Sequence, residues 1–201
     1  MGGAGGEAVG KMMRKAAIVA AASFAAAGSC ALLKAGGAPP NIESLMPFAM
    51  SAGMALGPFY GFLNALLARA MFDGYQSWVG WWTIGTSISY GLVGLAAGLA
   101  ARLRKQWSRA QLALLSGALT ILYDVVTMLA FGVPFGIPVQ VLVAGQIPFT
   151  IAHLAGNVTL CFAFAPFLLK SLNGYVEGID ATRGAAKPAA WAPLQSAQKE
   201  D

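Results

Sequence analysis

His153 and Asn157 stand one helical turn apart in GQIPFTIAHLAGNVTLCFAFAPFLLK, residues 145–170. His153 is the only histidine, and residues 125–169 contain no Asp, Glu, Lys or Arg. Side chains four apart share a helix face, so an imidazole and a carboxamide would be presented together. Upstream, Tyr123 and Asp124 interrupt an apolar run, and Asn41 and Glu43 sit in PPNIES. Trp81 and Trp82 close the stretch DGYQSWVGWWT, which also holds Tyr75, Gln76 and Trp78. Carboxylate, carboxamide and imidazole can hydrogen-bond a polar ligand, and indole rings can cover a flat one. No nucleophile, base and orienting group come together in the sequence, so catalysis is not indicated. One histidine and two scattered cysteines, Cys30 and Cys161, match no metal spacing, and neither metal nor cofactor is expected.

The elements that must position these residues follow from composition. Of 201 residues, 57% are hydrophobic and 10% charged, where soluble domains carry about a quarter as charges. The chain therefore reads as an integral membrane protein surrounded by lipid, and its spans must be helices because hydrocarbon satisfies no open backbone group. The net charge of +5 lies beside the apolar runs and makes no broad basic patch, so nucleic acid is not an expected partner. Lys11, Arg14 and Lys15 precede the apolar run 16–33, which contains AAAGSC and so resembles a secretory or lipoprotein leader. Ala27 stands where a lipoprotein leader usually has Leu, and the charge distribution keeps this segment as a span.

That distribution decides the span count. Lys and Arg cluster at 11–15, in RLRKQWSR at 102–109, and from Lys170 onward. If 44–68 crosses once, the first two clusters face opposite sides. If the chain turns at Gly57-Pro58, where a helix is hard to continue, both clusters face the cytoplasm. The expectation is an all-α membrane domain of six spans, about 12–33, 42–57, 58–72, 79–102, 109–131 and 147–172, with both termini cytoplasmic. It places 11 of 13 Lys and Arg inside and leaves Lys34 and Arg69 outside, with Asp73 to compensate Arg69. Residues 1–11 form an N-terminal tail, 173–201 a disordered cytoplasmic tail, and FGVPFGIPVQVLVAGQIPF a loop or re-entrant segment.

Counting along these spans brings the polar residues to one depth. Asp124 lies 15 residues beyond Arg109, roughly 22 Å at 1.5 Å per residue, in the outer half. His153 and Asn157 open the last span from the outside. An intramembrane carboxylate should face protein or a polar cavity, so an outward-facing pocket is expected. Each residue also has a plainer use. Asn41 and Glu43 could cap and charge the second helix, tryptophans anchor spans at headgroup depth, and a single histidine can be a satisfied core residue. Ala17, Ala21 and Ala25 line one face of the first span, where they either fill lipid-facing positions or let another helix approach. Gly53-x3-Gly57-x3-Gly61 and Gly94-x3-Gly98 read as internal close-packing motifs.

The runs GMALGPFYGFLNALLARAMFDG, WWTIGTSISYGLVGLAAGLAARL and PFTIAHLAGNVTLCFAFAPFLLKSL resemble the S component of an energy-coupling factor (ECF) transporter, over roughly residues 12–172. The resemblance implies a six-helix plasma-membrane protein that captures a vitamin or precursor with high affinity. It implies that Ala17, Ala21 and Ala25, or Ala16 and Ala20 in another register, dock onto a transmembrane coupling protein driven by ABC-type ATPases. This chain has no G-x4-G-K-[ST] run of its own. The resemblance further implies an outer-half ligand site closed by the loop KAGGAPPN, 34–41. Substrate-binding candidates are Asn41, Glu43, Trp81, Trp82, Tyr123, Asp124, His153 and Asn157. Partners are a small-molecule ligand, the coupling module and membrane lipid. A six-helix scaffold without a transport ligand is the alternative, and an intramembrane lipid enzyme is disfavoured by the missing catalytic pair. The carboxylates suit a cationic or hydrogen-bond-donating ring such as a thiamine-like pyrimidine, while flavin, biotin or cobalamin capture would use similar parts.

Overall fold

The computed structural model describes residues 3–185, Trp78 and Lys105 excepted, and the described residues form helices and no strand. Six α-helices follow in chain order: α1 (Gly3–Ala35), α2 (Leu45–Leu56), α3 (Pro58–Tyr75), α4 (Trp81–Ala100), α5 (Arg109–Gly132) and α6 (Val139–Ala185). By length and composition α1, α4, α5 and α6 are each able to cross a membrane. At 1.5 Å per residue α2 is about 18 Å long and α3 about 27 Å, against roughly 30 Å of hydrocarbon.

The break between α2 and α3 falls at Gly57-Pro58. Gly57 adopts φ +98°, a backbone conformation that side chains disfavour, and Pro58 begins α3 where a missing N–H costs nothing. The two helices fold back as a hairpin. Glu43, just before α2, reaches Arg69 near the end of α3, with Oε2 and Nη1 3.0 Å apart. Glycine makes the fold-back possible. A Cβ on Gly61 would stand 2.4 Å from the Cα of Gly53, and one on Gly53 would stand 2.1 Å from the carbonyl oxygen of Gly94. On α4, Gly94 and Gly98 press against Gly61 and Pro58 in the same way. Three backbones meet where lipid offers no hydrophobic drive and close contact must hold the helices.

The hairpin also orients the bundle. The Lys15 ammonium lies 5.2 Å from the Tyr60 ring centroid, and Gly98 abuts Pro58. The basic segments 11–15 and 102–109 therefore share the end that carries the Gly57-Pro58 turn. Lys170 joins them across a groove shared with Trp107. Lys34, Arg69 and Asp124 lie toward the opposite end.

Helix bounds differ from expectation in instructive places. Asn41 does not cap α2. It takes a left-handed conformation, φ 67°, in the turn from Pro39 to Ile42, and α2 starts at Leu45 behind Ser44. Asn tolerates that conformation better than most side chains, which suits it to the turn. Glu43 accordingly precedes the helix and pairs with Arg69. Residues 139–147 are helical, not loop or re-entrant segment, because Pro138 lies before the first turn and its carbonyl accepts the amides of Val141 and Leu142. Only Pro148 and Pro166 fall inside α6. Residues 173–185, expected to be disordered, continue α6. Leu172 and Val176 pack against Val19, Ala52 and Leu56, and extending an existing helix is far easier than starting one. Residues 186–201 lie outside the described residues.

Candidate ligand-binding site

The α5 sequence repeats a polar residue on one face: Ser116, Thr120, Tyr123, Asp124 and Thr127, all buried. The hydroxyls of Ser116, Thr120 and Thr127 donate to the α5 carbonyls of Ala113, Ser116 and Tyr123, which satisfies them within their own helix. On α6, His153, Asn157 and Cys161 follow at steps of four. The helices run antiparallel, so the two series meet rung by rung. His153 Nδ1 is 2.7 Å from Asp124 Oδ1, Asn157 Nδ2 donates to Thr120 Oγ1 at 3.0 Å, and the buried Cys161 lies beside Ser116. This ladder explains why an imidazole and a carboxamide occur in an apolar span: each meets a partner on α5. The α5 series is legible in the sequence as spacing of four, three, one and three, but the eye passes over Ser and Thr in a span because they are inexpensive there.

The outermost rung differs from the other two. Asp124 Oδ2 is buried and has no hydrogen-bond partner among the described residues. Asp124 and His153 both line a cavity of about 540 Å³ between the C-terminal part of α5 and the N-terminal part of α6. Its other walls include Tyr123, Thr127 and Gln146 among the apolar side chains Met128, Phe131, Ile137, Val141, Leu142 and Phe149. The volume lies in the range of small-molecule sites, and a few convergent polar groups in an apolar wall are what such sites present. Tyr123 meets the His153 ring edge to face at 5.9 Å and packs on Tyr90 of α4 at 4.4 Å. Those two rings link the cavity to the hairpin mouth, where Arg69 holds Glu43 at 3.0 Å and Asp73 at 2.8 Å. Asp73 Oδ2 and Arg69 Nε there are also buried without a partner.

The remaining expected site residues fall elsewhere. Asn157 is 2% exposed, held by Thr120, and absent from the cavity wall. Trp81 stands behind the wall, packing on Phe131 at 5.1 Å and Phe135 at 5.4 Å, and Trp82 covers Gly80. Gln76 is exposed, and Trp78 lies outside the described residues. Glu43 belongs to the Arg69 cluster. The Asn41 carbonyl lies where a Cβ on Gly156 would touch it at 3.5 Å, so the α1–α2 loop rests on α6 between His153 and Asn157. Arg69, Asn64 and the α5 hydroxyls are the polar residues that the sequence reading left out of the site. Asn64 is fully buried and ties α3 to α1 through Ser23 Oγ and the Val19 carbonyl.

The sequence matches the family model described as ECF-type riboflavin transporter, S component, over residues 11–152. The chain belongs to this family. No curated protein and no solved structure matches it. As an S component it is a substrate-binding transporter subunit for vitamin uptake, not an enzyme, and a multi-pass protein of the plasma membrane. The match stops one residue before His153, so the α6 side of the ladder lies beyond it. Ala17, Ala21 and Ala25 are exposed and line a groove between α1 and α6.

Proposed function

We propose that this S component captures riboflavin or a close flavin relative in the cavity between α5 and α6, at the outer side of the membrane. The observation that carries the reading is Asp124, a buried carboxylate with one oxygen on His153 and the other free at the cavity wall. In hydrocarbon such a group is retained for a partner, and a ligand N–H or O–H would supply it. The apolar wall suits a flat ring, and the position of the family match favours a flavin over the thiamine-like pyrimidine that the carboxylates alone would suit.

Both termini face the cytoplasm in this proposal, because the basic segments 11–15 and 102–109 and Lys170 share the end of the bundle opposite the cavity. The α1–α2 loop, lying on Gly156 beside the site, acts as its cover. Transport follows when a transmembrane coupling protein, driven by ABC-type ATPases, packs against Ala17, Ala21 and Ala25.

The test is binding of riboflavin to the purified chain, read by quenching of flavin fluorescence. Saturable quenching is expected. His153→Ala and Asp124→Asn each weaken it by about 5- to 150-fold, the equivalent of roughly 1–3 kcal/mol for an unpaired polar group in a closed site. Absence of riboflavin binding, with the protein still folded, would overturn the substrate assignment.

A further inference from the structure

We infer that the groove between the α4–α5 turn and α6 holds an anionic phospholipid of the leaflet at the basic end of the bundle. The groove, of about 450 Å³, shares no residue with the α5–α6 cavity, and the lipid site stands whichever ligand that cavity takes. Its lining changes character along the bundle. Leu112, Pro166 and Leu169 line the part nearer the middle of the bundle, and Lys170, Asn173 and Glu177 follow outward along α6. Trp107 closes the side opposite α6, in a turn that lies just outside the apolar stretches ending at Leu103 and beginning at Arg109. Tryptophan favours that headgroup depth. Apolar inside and cationic outside is the order of a phospholipid's own parts, with acyl chain on Leu112, Pro166 and Leu169 and phosphate level with Lys170.

Charge selects an anionic headgroup. The turn 102–109 carries four Lys and Arg, and residues 74–123 contain no Asp or Glu. Among the described residues, Arg102, Arg104, Arg109 and Lys170 pair with no carboxylate, whereas Arg69 at the other end is held by Glu43 and Asp73. Arg104 Cζ lies 5.9 Å from the Trp107 ring centroid, and the Arg104 carbonyl accepts the indole N–H at 3.2 Å. A second cation is thereby kept beside the groove. Lys170 and Glu177 cancel within the wall, so Arg104 leaves the site positive, and basic pockets between spans are where anionic headgroups bind.

Shape favours a lipid over a soluble anion. Inorganic phosphate would meet the cations but leave the apolar half of the groove unfilled. Gly174 keeps the outer half open, since a Cβ there would meet nothing within 4 Å. A lipid in this position would tie the α4–α5 turn to α6 through contacts that neither element makes alone.

The experiment titrates phosphatidylglycerol, phosphatidylethanolamine and inorganic phosphate onto the purified full chain in neutral detergent, with bound molecules counted by native mass spectrometry. Phosphatidylglycerol is expected to bind at least about tenfold more tightly than phosphatidylethanolamine, and inorganic phosphate is expected not to displace it. Lys170→Gln is expected to reduce that preference about fivefold. Arg14→Gln removes the same charge from the same end outside the groove, and is expected to change it less than about twofold. Gly174→Leu alters no charge but fills the groove, and is expected to weaken phosphatidylglycerol at least about fivefold. Equal affinity for the two lipids, equal losses in Lys170→Gln and Arg14→Gln, or displacement by inorganic phosphate at the same concentration would overturn the lipid site. Undiminished phosphatidylglycerol binding by folded Gly174→Leu protein would overturn it as well.

Discussion

At the scale of single residues, position on the α5–α6 ladder separates two kinds of polar group. Asn157 and Thr120 are rungs inside the protein. Removing the carboxamide leaves the Thr120 hydroxyl with only its own helix carbonyl and opens a void beneath Gly156. Asn157→Ala is expected to cost about 1–3 kcal/mol of stability, combining an interhelical hydrogen bond with a small cavity. Riboflavin affinity should change less than twofold in the folded fraction. A thermal melt and a binding isotherm on the same sample check this. A melting temperature equal to wild type with a large loss of affinity would move Asn157 into the site. His153 belongs to the other kind, since its partner Asp124 also faces the cavity, and its replacement is expected to act mainly on affinity.

At the scale of elements, the glycine junction among α2, α3 and α4 is the least tolerant part of the fold. A Cβ on Gly94 would stand 2.1 Å from the Gly61 carbonyl oxygen and 2.5 Å from its carbon. The obstruction is backbone, so no rotamer change relieves it. Gly94→Leu is expected to abolish folded, monodisperse protein, while Gly10→Leu, with nothing near its Cβ, should express as wild type. Gel filtration in detergent reads both, and a well-behaved Gly94→Leu protein would show that the three helices need not touch. The small residues of α1 serve a different purpose. Their exposed face leaves the bundle intact when enlarged, so Ala21→Trp with Ala25→Trp should stop co-purification of a coupling protein and spare riboflavin binding. Undiminished co-purification would make the alanines lipid-facing filler.

At the scale of the whole molecule, one end is basic and the other holds the Asp124 carboxylate, the His153 imidazole and the α1–α2 loop that rests on α6 beside them. That asymmetry sets the expected orientation. A cysteine placed at Ala38 should react with an impermeant maleimide added outside intact cells, and one at Gln106 only after permeabilisation. Cys30 and Cys161 are both buried and give little background. Labelling of both positions from the same side would refute the turn at Gly57-Pro58 as a membrane re-entry.

Much of this was legible in the sequence because a bilayer permits few solutions. The scarcity of charge required helices, Gly57-Pro58 marked the hairpin, and the basic clusters pointed to a shared end of the bundle. The spacing of His153 and Asn157, with Asp124 at a similar depth, pointed to one end of α5 and α6. The sequence could not distinguish a residue that faces a cavity from one that faces a partner. His153 and Asn157 share a helix face and a chemical class, and only the antiparallel register of α5 against α6 places one beside Asp124 at an opening and the other on Thr120 in the interior. The same limit applies to Glu43, whose use depends on Arg69, 26 positions away, folding back to meet it. Composition and periodicity act along the chain and are read from it. Which buried polar atom is left without a partner depends on the meeting of two helices, and that was decided only in three dimensions.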